Sequence, residues 1–204
     1  MIDAVVKVGG GLLSFPESLS AVLTVVANAA RAQRLLLVPG GGPFADAVRD
    51  VDSRIGLGDD AAHWMAVLAM NQYAHLIAAK LGPSAALAED LIDVSRTLAA
   101  GRLPVLLPYR WMRAADPLPH AWEVTSDSIA AWIAGVSGAG RLVLVKPPIQ
   151  NGWQDQHGDR RAADRHLVDA YFDRALAARV APAIVTADRL DLLRGALRAG
   201  SACA

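Results

Sequence analysis

The sequence predicts an α/β fold with a mainly parallel sheet, and three observations carry that expectation. Short apolar runs recur at Val5-Val6-Lys7-Val8, Leu35-Leu36-Leu37-Val38, Pro104-Val105-Leu106-Leu107 and Leu142-Val143-Leu144-Val145, as in strands buried on both faces. Stretches of helical period separate several of them. Glycine, proline or lysine closes each run, so the chain is punctuated as strand, loop and helix.

Taken in order, the first run ends at Gly9-Gly10-Gly11, with Lys7 just before the turn. Ser14 and Glu17 make a capping-box pattern with Pro16 in the first turn, and Leu19, Val22, Leu23, Val26, Ala27 and Ala30 continue at helical spacing. The second run enters Pro39-Gly40-Gly41-Gly42-Pro43. A short helix is expected over 46–54, broken by Gly56-Leu57-Gly58, and a long one over about 60–81 with Met65, Leu68, Ala69, Gln72, Leu76 and Ala79 on its apolar face. His63 and His75 on that helix are expected as surface or capping histidines, since neither has a second His or Cys at ligand spacing. Gly82-Pro83 ends it. A strand at 85–88, a helix at 91–100 stopped by Gly101 and a strand at 104–108 follow. Residues 109–122, with Trp111, Pro117, Pro119 and Trp122, are expected as an irregular loop, and loops of that length are more often functional than idle. Thr125 or Ser126 caps the next helix, with Asp127 complementing its dipole. A strand at 141–146 again ends in a lysine. A polar segment at 151–164, a helix at 166–180, a strand at 183–186 and a helix at 188–198, capped by Asp188 and ended by Gly200, complete the reading.

A chain of 204 residues that is 53% hydrophobic can bury a substantial core. Lys and Arg together number 20, as do Asp and Glu, so no general attraction to nucleic acid or to an anionic membrane is expected. Any anion site must be local. No signal-peptide pattern opens the chain, and no uncharged apolar span approaches the ~20 residues of a membrane helix. The lone Cys203 cannot form an internal disulfide, and a cytoplasmic setting is the simple expectation.

Lys7 is the informative exception to its strand. A buried strand excludes an unpaired ammonium, so Lys7 must reach water or meet an anion at the strand end. The glycines beyond it let backbone N–H groups approach an anion closely, and a following helix adds its positive end. In a parallel βαβ unit both glycine clusters lie at the carboxyl edge of the sheet, where open α/β folds bind ligands. Gly9-Gly10-Gly11 is not a GxGxxG fingerprint and no GxxxxGK[ST] occurs, which disfavours a dinucleotide site and a P-loop.

Lys7-Val8-Gly9-Gly10, Pro39-Gly40-Gly41-Gly42-Pro43, Thr125-Ser126-Asp127-Ser128-Ile129-Ala130 and Leu144-Val145-Lys146, in that order, resemble the amino-acid kinase family, which includes N-acetylglutamate kinase, aspartokinase, uridylate kinase and isopentenyl phosphate kinase. The resemblance covers most of the chain. It implies a three-layer α/β/α sandwich around a mainly parallel sheet, as a single domain over 1–204 with its acceptor part at about 1–120 and its nucleotide part at about 121–204. It also implies an ATP-dependent phosphotransferase using ATP and Mg2+, with Lys7, Asp127 and Lys146 as its catalytic residues. Lys7 would bridge the donor phosphate and the transferring phosphoryl group, Lys146 would hold the nucleotide phosphates, and Asp127 would orient both ammonium groups. Gly9, Gly10 and Gly11 would donate N–H groups to phosphate, with Ser126, Pro147, Asn151 and Gly152 also on the nucleotide side. Gly40, Gly41, Gly42, Pro43, Asn71 and Thr125 would line the acceptor pocket. No residue is assigned as a metal ligand; Mg2+ would ride on phosphate oxygens and water. The implied partners are a small-molecule phosphate acceptor and further copies of the chain, joined through the helix at 60–81, with no nucleic acid and no membrane.

Within the family, Pro-Leu-Pro-His-Ala-Trp at 117–122 and Val-Thr-Ser-Asp-Ser-Ile-Ala at 124–130, with the short length, are most similar to the branch acting on a furan-based phosphate in methanofuran and methylofuran biosynthesis. Kinases of another small phosphate or carboxylate acceptor, such as isopentenyl phosphate or an acetylglutamate-like one, are alternatives, as is a noncatalytic nucleotide- or oxoanion-binding member. A uridylate kinase is disfavoured, since Phe44-Ala45-Asp46 replaces the arginine expected after the second glycine cluster. Gln150-Asn151-Gly152 stands where many members carry Asp-Gly, and the tail lacks the glycine-Met-Lys segment of acetylglutamate kinases.

Overall fold

Strand β1 (Ala4–Val8) is buried over its whole length, Lys7 included, and the sheet is built outward from it. β2 (Leu35–Pro39) pairs with one edge of β1 and β5 (Arg141–Lys146) with the other. The computed structural model describes residues 1–148 and 167–198, so expectations that fall on 151–164, Gly200 and Cys203, Asn151 and Gly152 among them, lie outside the described residues. β3 (Ala85–Ala88), β4 (Leu103–Leu106) and β6 (Ala181–Thr186) complete a six-stranded sheet ordered β3-β4-β2-β1-β5-β6, with every described pairing parallel. Parallel pairing requires crossovers, and these are the helices α1 (Pro16–Ala29), α2 (Gly42–Ile55), α3 (Asp59–Leu81), α4 (Leu91–Ala99), α5 (Pro108–Ala115), α6 (Ser126–Val136) and α7 (Phe172–Ala175), while α8 (Leu190–Arg198) follows the last strand. Helices on both sheet faces make the three-layer α/β/α sandwich.

The period-2 alternation of each strand divides the core in two. Val5, Leu36, Leu142 and Leu144 face Trp64, Val67 and Met70 of α3 and Ile129 and Ile133 of α6. Val6, Leu37 and Val143 face Leu19, Val22 and Val26 of α1, Tyr73 and Ile77 of α3, and Leu193 and Leu197 of α8. Each such fully buried aliphatic side chain contributes roughly 1.5–3 kcal/mol relative to exposure. Lys7 shares its parity with Val5 and therefore projects toward α6. No helix among the described residues is long and apolar enough to cross a membrane.

Several local expectations are corrected. Ser14 and Glu17 form no capping box: Gly10–Ser14 winds into a 3-10 turn, Phe15 takes the N-cap without a side-chain bond, and Pro16 at the first position removes one orphan N–H. The helix expected at 46–54 begins earlier, at Gly42, with Pro43 in its first turn and Gly56 closing it at a φ of 66°. Residues 109–122 are not irregular throughout, because Pro108 starts α5 and the helix runs to Ala115. On α3 the inward residues are Ala62, Val67, Met70, Tyr73, Ala74 and Ile77, while Met65, Leu68, Gln72 and Ala79 are exposed; a helix apolar nearly all round hides which stripe faces the core. Only Phe172–Ala175 is helical in the described part of 166–180, where Asp169 accepts the Tyr171 N–H and offers the backbone a turn in place of a helix. The last helix starts at Leu190, not Asp188.

Candidate active site

Sheet register brings the two strand-end lysines together. Lys7 pairs with Leu144, two residues before Lys146, so both project from one face at neighbouring strand ends. α6 packs over β1 and β5 at this point and places Asp127 in its first turn. Lys7 Nζ lies 2.8 Å from Asp127 Oδ1, and Lys146 Nζ lies 2.5 Å from Oδ2. The three side chains are only 5%, 14% and 6% exposed for Lys7, Lys146 and Asp127, so this is a dry cluster in which two ammonium groups share one carboxylate. Burial opposes the charge on Asp127, but Lys7 and Lys146 overcome it and hold the carboxyl below its usual range. Lys146 is pushed down, first by burial and then by the Lys7 charge, with Asp127 offsetting only part. The surplus positive charge suits a bound anion.

The two glycine clusters meet each other rather than lining separate sites. The N–H of Gly9 donates to Val145 O (2.8 Å) and that of Gly40 to Val8 O (2.8 Å), extending the sheet ladders. Neither N–H is therefore offered to a ligand, so Gly9 does not donate to phosphate as expected, and Gly40 is not among the residues lining the neighbouring cavity. A Cβ on Gly10 would fall 2.0 Å from Gly42 N, and one on Gly40 would fall 2.5 Å from Gly10 N, so the loops pack backbone to backbone. Gly42 also needs its φ of +55°. The N–H groups of Gly10, Gly11, Gly41 and Gly42 have no backbone acceptor among the described residues and stand at the ends of β1 and β2, where a nest of successive N–H groups suits anion oxygens. Gly10→Ala is expected to force the α2 N-terminus away, costing about 1–3 kcal/mol. Differential scanning calorimetry then reads a Tm lower by roughly 2–4 °C per kcal/mol.

Beside this nest lies a cavity of about 150 Å³ between α2, α3 and the segment leading into α6. Gly41, Gly42, Thr125 and Ser126 line it. Thr125 reaches the wall with its hydroxyl occupied, accepting the Asp127 N–H at 3.3 Å and donating to Asp169 at 2.7 Å. Pro43 and Asn71 do not line the cavity; Asn71 Oδ1 accepts the Tyr109 N–H at 3.1 Å and ties α3 to the start of α5. Pro147 packs on Gly11, where a Cβ would lie 2.7 Å from its Cγ. Trp122, on the cavity wall, donates its indole N–H to Asp52 at 2.8 Å beneath the Arg49 guanidinium, 4.5 Å from its ring centroid. Asp46 and Asp59 supply carboxylates at the mouth.

His63 also lines the cavity and is buried, which corrects the expected surface histidine; His75 is exposed. Its ring stacks on His120 at 4.2 Å, and burial followed by the charge of His120 pushes His63 down to about 4, against Asp116 and Asp60. Burial opposes charge on His120 as well, but bonds of 2.6 Å to Asp60 and 2.8 Å to Asp116 overcome it and raise its pKa. An NMR titration of His63 is expected to give a midpoint near 4. Between about 6.5 and 4 the unfolded chain binds a proton at this position that the folded chain does not, so stability falls as pH drops through that window. Sequence reasoning missed this pair because His63 and His120 meet only in space. Asp169 was missed for the same reason.

The family model described as the amino acid kinase family matches residues 4–147. A [5-(aminomethyl)furan-3-yl]methyl phosphate kinase from Methanocaldococcus jannaschii is 29% identical over 140 residues, covering 69% of this chain and 63% of that kinase. Among solved structures, the uridylate kinase of Archaeoglobus fulgidus superposes with a TM-score of 0.67 at 15% identity, over 95% of this chain and 96% of its own. The UMP kinase of Ureaplasma parvum gives 0.64 at 14% identity, over 94% of each chain. At such identities the structural likeness concerns the fold.

Proposed function

This chain belongs to the amino acid kinase family, and on that premise we propose that it is an ATP-dependent kinase of a small phosphorylated acceptor, best matched by [5-(aminomethyl)furan-3-yl]methyl phosphate, in assembly of a methanofuran- or methylofuran-type cofactor. The observation that carries the reading is the buried Lys7–Asp127–Lys146 bridge beside an anion nest and a small cavity. Anion binding alone needs positive charge; a carboxylate that fixes two ammonium groups at set positions supports catalysis, because transfer requires the moving group to be held in line.

An acceptor phosphate oxygen forms a bond to the γ-phosphorus as the bond from that phosphorus to the β–γ bridging oxygen breaks. ADP leaves with the electron pair, and the acceptor becomes a diphosphate. Lys7 stabilises charge on the transferring group, Lys146 holds the donor phosphates, and Asp127 keeps both ammonium groups aimed. Mg2+ carried on the nucleotide would supply further charge neutralisation. The free N–H groups of Gly10, Gly11, Gly41 and Gly42 would receive phosphate oxygens. Trp122 and neutral His63 offer flat walls for a small ring, and Asp46 and Asp59 offer carboxylates for an aminomethyl ammonium.

The part before about residue 120 supplies most of the cavity wall and the remainder supplies Lys146, which supports the acceptor and nucleotide halves of a single domain. Met65 and Leu68, 36% and 40% exposed on α3, supply an apolar stripe through which copies of the chain would associate in the cytoplasm. ADP release measured against the aminomethylfuran phosphate, isopentenyl phosphate, UMP and acetylglutamate tests the acceptor. The furan phosphate is expected to give the highest kcat/KM, and preference for acetylglutamate, isopentenyl phosphate or UMP would overturn that choice.

A further inference from the structure

The carboxylate of Asp169 gathers five donors: the N–H of Thr125 (3.0 Å), its hydroxyl (2.7 Å), the N–H of Ser128 (3.1 Å), its hydroxyl (2.5 Å) and the N–H of Tyr171 (3.0 Å). Four of the five come from the N-terminus of α6, where N–H groups have no intrahelical partner and the helix dipole favours an anion. A single side chain, distant in sequence and following β5 in the chain, thus closes the start of the helix that bears Asp127.

From these contacts we infer that Asp169 is a positioning residue for phosphoryl transfer, holding the first turn of α6 so that Asp127 spans Lys7 and Lys146. This rests on the kinase reading of the site. The coupling runs through covalent and hydrogen bonds. By donating to Asp169, the Thr125 hydroxyl is turned so that a lone pair accepts the Asp127 N–H, and Ser128, fully buried, anchors the residue on the other side of Asp127. Asp127 is therefore clamped from both neighbours, leaving its own oxygens for the lysines. A shift of about 1 Å in such a carboxylate is enough to cost on the order of 10²-fold in rate. There is also an electrostatic link. Among the described residues the charged groups that act on Lys146 are Lys7 on β1, Asp127 on α6 and Asp169, and the Asp169 charge favours the Lys146 ammonium.

The test is Asp169→Asn in the full chain, which keeps size but replaces one acceptor oxygen by a donor. Expected is a fall in kcat of about 10–100-fold with KM for ATP and acceptor within about threefold. The alkaline limb of the kcat profile should move to lower pH, a change that loss of a purely structural cap would not produce. Amide hydrogen exchange should show faster exchange at Asp127 and Ser128. A kcat within about twofold of the parent, or a loss of activity with no movement of the alkaline limb, overturns the inference. If Asp169→Asn does not fold, Ser128→Ala removes one donor only; a several-fold lower kcat at unchanged KM supports the clamp, and an unchanged kcat overturns it. Should the parent protein turn over no ATP with any acceptor, the kinase reading fails, and NMR titration of Lys146 Nζ decides the role of Asp169 separately. A midpoint lower in Asp169→Asn supports it, and an equal midpoint contradicts it.

Discussion

Lys7→Met lowers kcat by about 10³-fold and leaves the protein folded with nearly its original stability. The rate loss follows from removing a preorganised positive charge from a dry site; single donors of this type are worth about 10²–10³-fold and phosphate-stabilising cations more. The stability argument is one of charge count. The parent buries two ammonium groups against one carboxylate; the variant buries one against one, since Asp127 keeps its 2.5 Å contact with Lys146. Methionine fills most of the volume of the lysine stem, so no large cavity opens next to Val5 and Leu144. ATP turnover and a thermal melt on the same sample check both halves.

Asp127→Asn behaves oppositely in stability. It leaves Lys7 and Lys146 facing each other, 5% and 14% exposed, with no carboxylate between them. Breaking a buried pair by removing one partner typically costs about 3–5 kcal/mol. Lys146, already pushed down by burial and by Lys7, loses its main offset and titrates lower still. The folded variant then binds fewer protons than the unfolded chain over a range below the ordinary lysine value, so its stability should rise with pH in that range. Denaturant unfolding at neutral and alkaline pH measures this, with activity down by at least about 10²-fold throughout. Lys7→Met and Asp127→Asn thus separate chemistry from folding: the first removes mainly rate, the second both.

Much of this architecture was legible in the chain itself. The continuous apolar strands gave a parallel sheet because only helix-covered strands tolerate such runs, and Lys7 and Lys146 stood out as charges at the ends of strands that should exclude them. Their pairing with Asp127 followed from the resemblance, and register explains it physically: Lys7 beside Leu144 fixes both lysines on the α6 face. Other features were hidden for identifiable reasons. The glycine clusters read as ligand loops, yet Gly9 and Gly40 spend their N–H groups on the sheet, and Gly10 and Gly42 are small because the two loops touch. His63 looked like a surface histidine because its partner, His120, lies far along the chain. The exposed and buried stripes of α3 could not be told apart where both are apolar. Asp169 had no local pattern at all, since its five donors come from residues brought to it by the fold and from a turn that replaces the expected helix.

Lys7, Asp127 and Lys146 are proposed to transfer a phosphoryl group to a phosphate acceptor. Phosphorus NMR of the protein with ATP, Mg2+ and [5-(aminomethyl)furan-3-yl]methyl phosphate tests it directly, because a phosphoanhydride product gives coupled resonances distinct from ADP. These resonances are expected to grow with the parent protein and to be absent on the same time scale with Lys7→Met. Equal growth with Lys7→Met, or no phosphoanhydride from any phosphate acceptor with the parent, would contradict it.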